Sequence, residues 1–231
     1  MGGERAVTTA VQDALVRQGF AVERVQGGTR YETAAAVARK IRAIVGERAD
    51  SPAFVVRGDR FPDALAAAPL AYRGAYPVLL TASASLTPAT AQVITDTGIN
   101  ELVIAGGLTA VSAPVENALK LVSGVRSVQR VPGGDRYETA ANVARFGVRM
   151  WWVENEYIGV ATGANFPDAL GGGAAAGSMG GVVLLSRSEA LSPSTAAYLQ
   201  SFKADVRTPR VYGGTNAISE DVKAAVGNTL R

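Results

Sequence analysis

The stretch "GGTRYETA" at residues 27–34 returns at residues 133–140 as "GGDRYETA". A phrase repeated with one change, about a hundred positions on, raises the question of whether the whole chain is written twice. The flanking sequence answers it. "RVQGGTRYETAAAVAR" (24–39) matches "RVPGGDRYETAANVAR" (130–145), and "RGDRFPDALAAAPLA" (57–71) matches "TGANFPDALGGGAAA" (162–176). "PVLLTASASLTPATAQVI" (77–94) matches "VVLLSRSEALSPSTAAYL" (182–199), and "IAGGLTAVSAPVENAL" (104–119) matches "VYGGTNAISEDVKAAV" (211–226). The separation stays near 105 throughout, which marks a tandem duplication. A third trace, "GGERAVTTAVQDAL" (2–15), aligns with "GGLTAVSAPVENAL" (106–119). Residues 1–20 are therefore expected to be the closing helix of an earlier unit, followed by unit 1 (21–124) and unit 2 (125–231).

Short β-branched runs such as "AFVV" (53–56), "PVLL" (77–80), "ELVIA" (101–105) and "VRSVQRV" (125–131) predict strands, and the Ala-rich stretches between them predict helices. Continuous apolar strands alternating with helices imply parallel sheets covered on both faces. The expectation is eight strands and nine helices, four strands to a unit. One terminal helix then has no sheet of its own and must cap a neighbour or leave an apolar face exposed.

The chain has 231 residues, 48% of them hydrophobic and 19% charged, enough apolar surface for a buried core. A formal charge of +3 without runs of like charge gives no footprint for nucleic acid. The absence of His and Cys removes thiolate nucleophiles, disulfides, His-containing zinc sites and any Ser-His-Asp triad. No metal and no cofactor is expected. Only four of the 23 basic residues are lysine (Lys40, Lys120, Lys203 and Lys223), a balance that suits bidentate pairing with carboxylates or anions but also follows from GC-rich coding. The opening "MGGERAVTTA" contains no apolar signal segment, and no stretch is long and apolar enough to span a membrane, so the expectation is a cytosolic chain or a mature fragment.

Most repeated polar residues suit helix starts. Thr29 with Glu32, and Asp135 with Glu138, have capping-box spacing. Thr8 or Thr9, Ser112 and Ser219 are further N-cap candidates, and Pro88 and Pro193 suit first helical positions. Arg30 and Arg136 do not fit, because a cation in the first turn opposes the helix dipole by roughly 0.3–1 kcal/mol. Asp63 and Asp168, in the two "FPDAL" phrases, are candidate partners, giving Arg30–Asp63 and Arg136–Asp168 pairs within a unit or across the joint between units. The other possibility is that the arginines hold an anionic ligand, with Tyr31 and Tyr137 beside them to face a glycan. The Gly-Gly pairs match neither the dinucleotide fingerprint nor the P-loop. "GGGAAAG" (171–177) suits a helix whose small face admits another backbone. "RGD" at 57–59 has no counterpart in unit 2 and is given no role.

Taken together, these phrases resemble the type-2 cell-wall-binding repeat of Gram-positive surface proteins, in family order and over essentially the whole chain. The resemblance implies an α/β fold of two tandem Rossmann-like units, each a mostly parallel four-stranded sheet flanked by helices. It implies a non-catalytic module outside the cell that anchors proteins such as autolysins or adhesins to anionic secondary wall polymers, polysaccharide or teichoic in type. Family members usually carry three units packed about a pseudo-threefold axis, whereas this chain has two and a fragment, so self-association or a missing third unit is implied as well. The rival expectations are a structural scaffold in a surface array or phage particle, and a Rossmann-like enzyme acting on a nucleotide or sugar.

Overall fold

The computed structural model describes residues 1–46, 50 and 52–231. After α1 (Thr9–Arg17), unit 1 runs α2 (Arg30–Val45), β1 (Pro52–Arg57), α3 (Pro62–Gly74), β2 (Val78–Thr81), α4 (Pro88–Asp96), β3 (Glu101–Ala105) and α5 (Ala113–Lys120). There follow β4 (Ser127–Val131), α6 (Arg136–Arg149), β5 (Tyr157–Thr162), α7 (Pro167–Ser178), β6 (Val182–Ser186), α8 (Pro193–Phe202), β7 (Thr208–Tyr212) and α9 (Glu220–Thr229). The α/β alternation and the two units agree with the sequence. Every strand pairing is parallel, and β1, β5 and β6 are buried almost along their length, as helices on both faces require.

The strand count needs correction. The described residues hold seven strands, in one sheet of order β2-β1-β3-β4 and a three-stranded sheet of order β6-β5-β7. The reason lies in β4. It opens the second sequence repeat yet pairs along its length with β3, Leu102 opposite Val128 and Ile104 opposite Arg130. Its counterpart, residues 21–25, is extended but joins neither sheet, and β7 keeps an open edge.

Arg130 secures the exchanged strand. Its Nε and Nη2 donate to Glu116 Oε2 at 2.8 and 2.7 Å, and its Nη1 donates to the carbonyls of Gly106 and Gly107 at 3.0 and 3.2 Å. The two side chains are only 13% and 20% exposed, so this fork of charge-assisted bonds is partly shielded from water. The same lock recurs at the start of the chain. Arg24 donates to Gln12 Oε1 at 3.0 and 2.9 Å and to the Gly2 carbonyl at 3.0 Å. Gly2 N bonds Val25 O at 2.9 Å, just as Gly106 N bonds Val131 O at 2.9 Å. α1 therefore packs on residues 20–26 as α5 does on β4, but it buries no residue and leaves Val11, Leu15, Val16 and Phe20 exposed.

The units also share a core. Trp152 from unit 2 lies against Phe54 and Tyr76 of unit 1, with ring centroids 6.2 and 4.6 Å away. α7 lies across α3 on its small face. A Cβ on Gly177 would stand 2.7 Å from Pro69 O, and one on Gly173 2.9 Å from the Cβ of Ala68. Gly171, on the same helix, has nothing within 4 Å of such an atom. Gly177→Ala is therefore expected to lower stability by about 1–3 kcal/mol through overpacking. Gly171→Ala is expected to raise it by roughly 0.5–1 kcal/mol through helix propensity alone. Denaturant midpoints of the two variants check the contrast.

Candidate functional site

The repeated phrases meet at the carboxyl ends of the strands, where open α/β sheets take ligands. Thr29 Oγ1 accepts from Glu32 N at 3.2 Å while Glu32 Oε2 accepts from Thr29 N at 2.9 Å, closing a capping box at the start of α2. On α6, Asp135 Oδ1 accepts from Tyr137 N and Glu138 N at 2.9 and 2.8 Å. Glu138 reaches one residue further back, to Gly134 N at 2.7 Å.

The arginines beside these caps bind differently from the expected pairs. Arg30 Nη1 donates to Gly58 O at 2.8 Å, and Arg136 Nη1 donates to Gly163 O. No ion pair joins Arg30 to Asp63 or Arg136 to Asp168 among the described residues. Each arginine ties the start of its helix to the turn that follows the next strand along the chain, β1 for Arg30 and β5 for Arg136. The adjacent tyrosine packs on the same turn: a Cβ on Gly58 would lie 2.5 Å from the Tyr31 ring, and one on Gly163 2.7 Å from the Tyr137 ring. A carbonyl takes one guanidinium nitrogen without neutralising the charge, so both arginines stay available to an anion.

Asp63 and Asp168 instead face the Gly-Gly turns of their own units. The turn glycines Gly106 and Gly213 have φ of 118° and 114°, and a Cβ there would stand 2.8 and 2.7 Å from the carboxylate of Asp63 or Asp168. Backbone handedness and this close approach both require glycine. Asp63 makes no hydrogen bond to any described residue. Burial pushes its carboxyl up to about 6, against the opposing fields of Arg57 and Arg136. The fields acting on Asp63 thus come from both units, first from Arg57 of its own unit and then from Arg136 of the following one.

These groups line a cleft of about 220 Å³ shared by the two units. Unit 1 supplies Arg57, Arg60, Asp63 and Gly107, and unit 2 supplies Gly134 and Arg136. Arg57 is held by both oxygens of Asp59, at 2.7 and 2.6 Å, and this bond holds the Asp59 carboxyl below its ordinary range. A wider cleft of about 1100 Å³ lies near the start of the chain, with Gly3, Arg5, Gly28 and Arg30 along it. Arg57 and Arg60 carried no signal in the repeat, because Thr162 and Asn165 stand in their places in unit 2.

A sequence profile described as cell wall binding domain 2 matches residues 24–116 and 130–223, each span one copy of the repeated text. The chain belongs to the cell wall binding domain 2 family. Among curated relatives it is 30% identical over 230 residues to N-acetylmuramoyl-L-alanine amidase LytC of Bacillus subtilis, covering 100% of this chain and 43% of that protein. It is 28% identical over 228 residues to the amidase enhancer of the same organism, covering 99% of this chain and 29% of that one. The chain thus spans less than half the length of these relatives. Among solved structures, Cwp8 from Clostridium difficile superposes with a TM-score of 0.81 at 24% identity, over 99% of this chain and 37% of that one. Cwp6 from the same organism gives 0.78 at 23%, over 89% and 31%. Both share the fold of this cell wall binding domain 2 pair.

The cleft carboxyl makes stability depend on pH with a definite sign. The folded value for Asp63 lies above the ordinary 3.8, so its contribution is full at low pH and is lost as pH rises through about 6. Glu116 acts oppositely: its bonds to Lys120 and Arg130 lower its value, so its stabilisation is present above the ordinary 4.5 and is lost below it. Asp63→Asn is accordingly expected to be about 1–2 kcal/mol more stable than the native chain at pH 8, the gain over the lost helix-dipole contact shrinking to nothing near pH 4. Thermal unfolding across that range checks it.

Proposed function

We propose that the chain is a non-catalytic anchoring segment that attaches a larger surface protein, outside the cell, to anionic polymers of a Gram-positive wall. The carrying observation is the arginine placed at each joint, Arg30 and Arg136, bound to a carbonyl and keeping its charge at a cleft lined by Gly-Gly turns. Family membership supports the wall as the target, and an amidase and an amidase enhancer are among the relatives that align with the full chain. No described helix is long and apolar enough to cross a membrane. In this reading residues 1–20 close a preceding unit. Two or more weak sites on a repeating polymer gain by effective concentration.

Tyr31 and Tyr137 take a supporting part here, holding the turns that the arginines grip. A further repeat unit is the proposed second partner. Leu65 on α3 is 3% exposed beneath unit 2, whereas its counterpart Leu170 on α7 is 57% exposed. α7 therefore offers the face that α3 uses to hold the next unit.

Wall sedimentation is the test. The chain should be retained by purified walls, be released by salt, and lose retention once the anionic polymer is stripped; retention that survives stripping refutes the reading. Arg30→Ala and Arg136→Ala should each weaken retention on the order of tenfold, the equivalent of ~1.4 kcal/mol. Leu170→Glu should abolish concentration-dependent association of the isolated chain in sedimentation velocity runs and leave wall retention intact.

A further inference from the structure

The cleft between the units gathers six charged groups whose balance depends on one proton. Arg57 from β1 is neutralised by Asp59 in a bidentate pair. Arg60, in the turn before α3, has no ion-pair partner among the described residues, and Arg136 on α6 spends one nitrogen on a carbonyl. Against these two guanidinium groups stand two carboxylates. Asp135 is engaged by the first amides of α6, and Asp63 on α3 has no hydrogen bond to any described residue. The fourth wall, the turn Gly106–Ala110, adds no titratable side chain. With Asp63 ionised, two positive charges meet two negative ones and the cleft attracts no anion strongly. With Asp63 protonated, one positive charge is left over at the cleft.

Resting on the reading of this cleft as the polymer site, we propose that an anionic group of the ligand, a sulfate, phosphate or carboxylate borne on a glycan, enters between Arg60 and Arg136 together with a proton on Asp63. The anchor therefore grips more tightly as its surroundings turn acidic. Linkage requires the converse: an anion beside a shielded carboxyl favours the neutral acid, so binding takes up a proton. The burial that holds the Asp63 carboxyl up to about 6 places this exchange between neutral and mildly acidic pH. The expected ligand contacts span both units, with Arg60 from one and Arg136 from the other, so a single excised repeat lacks the site.

The probe is a short dextran sulfate oligosaccharide, whose charge is constant from pH 5 to 8, titrated calorimetrically into the full chain in two buffers of different ionisation enthalpy. The native chain should bind about tenfold more tightly at pH 5.5 than at pH 7.5 and take up close to one proton per cleft near pH 6.5. Asp63→Asn should bind at pH 7.5 as the native chain does at pH 5.5, without proton uptake. Asp96→Asn removes the same charge from the outer face of α4, where Asp96 pairs with Arg39 at 2.6 Å, and should keep the native pH profile. Proton uptake by the native chain reads the proposal even if a variant folds poorly. A flat native profile, an unchanged slope in Asp63→Asn, or no binding of the sulfated probe overturns it. The two readings fail separately: proton-linked binding of the probe without retention on walls sinks the anchoring role alone, and wall retention without proton linkage sinks this one alone.

Discussion

The parallel ladder between β3 and β4 is the constraint on which the remainder of the molecule rests. β3 ends unit 1 with its outer row of amides and carbonyls needing partners, and an open edge would leave them to water or to another chain. The strand that satisfies them is the first segment of the next repeat. Because that strand then turns directly into the Gly-Gly corner and α6, the ladder also sets where unit 2 starts, how α6 lies against α3, and how Trp152 reaches Phe54 and Tyr76. Gly147 on α6 shows how tight the arrangement is, since a Cβ there would stand 2.6 Å from Leu70. The cleft follows from the same geometry. Asp63 and Arg136 come together only because the two repeats are held in this register.

Helix starts and repeat boundaries were legible in the amino-acid sequence because they depend on local chemistry. Thr29 and Ser219 cap helices, Ser112 holds the N-cap position of α5 without a side-chain bond, and Pro88 and Pro193 open helices, because these preferences are decided within a turn of chain. The small face of "GGGAAAG" was legible too, since only a close-packed neighbour gives such a run a purpose. Two things were not. The ownership of the strand at 127–131 is a tertiary choice that a repeated text leaves open. The partners of Arg30 and Arg136 are backbone carbonyls, which every residue carries and none advertises. A carboxylate at matching positions in both repeats was the obvious complement, yet Asp63 and Asp168 are turned toward glycines.

Repetition itself misled at Arg57 and Arg60. Treating shared residues as the meaningful ones is sound for scaffold features, which each unit needs. It fails for a cleft built between unlike neighbours, where unit 1 contributes its strand ends and unit 2 its helix start. Arg24 and Arg130 show the opposite case: both are repeated, and both lock an extended segment to the Gly-Gly turn of the preceding element. At Arg24, Arg57 and Arg130, arginine is used where one planar group must satisfy several acceptors at once, which a lysine ammonium does poorly.

The exchanged strand also bears on how such arrays are inherited. The unit of folding is out of phase with the unit of text by one strand, so removal of the last copy at the boundary of the repeated words strips the upstream sheet of its edge. Recombination that falls just after the strand, inside the Gly-Gly corner, leaves every sheet complete.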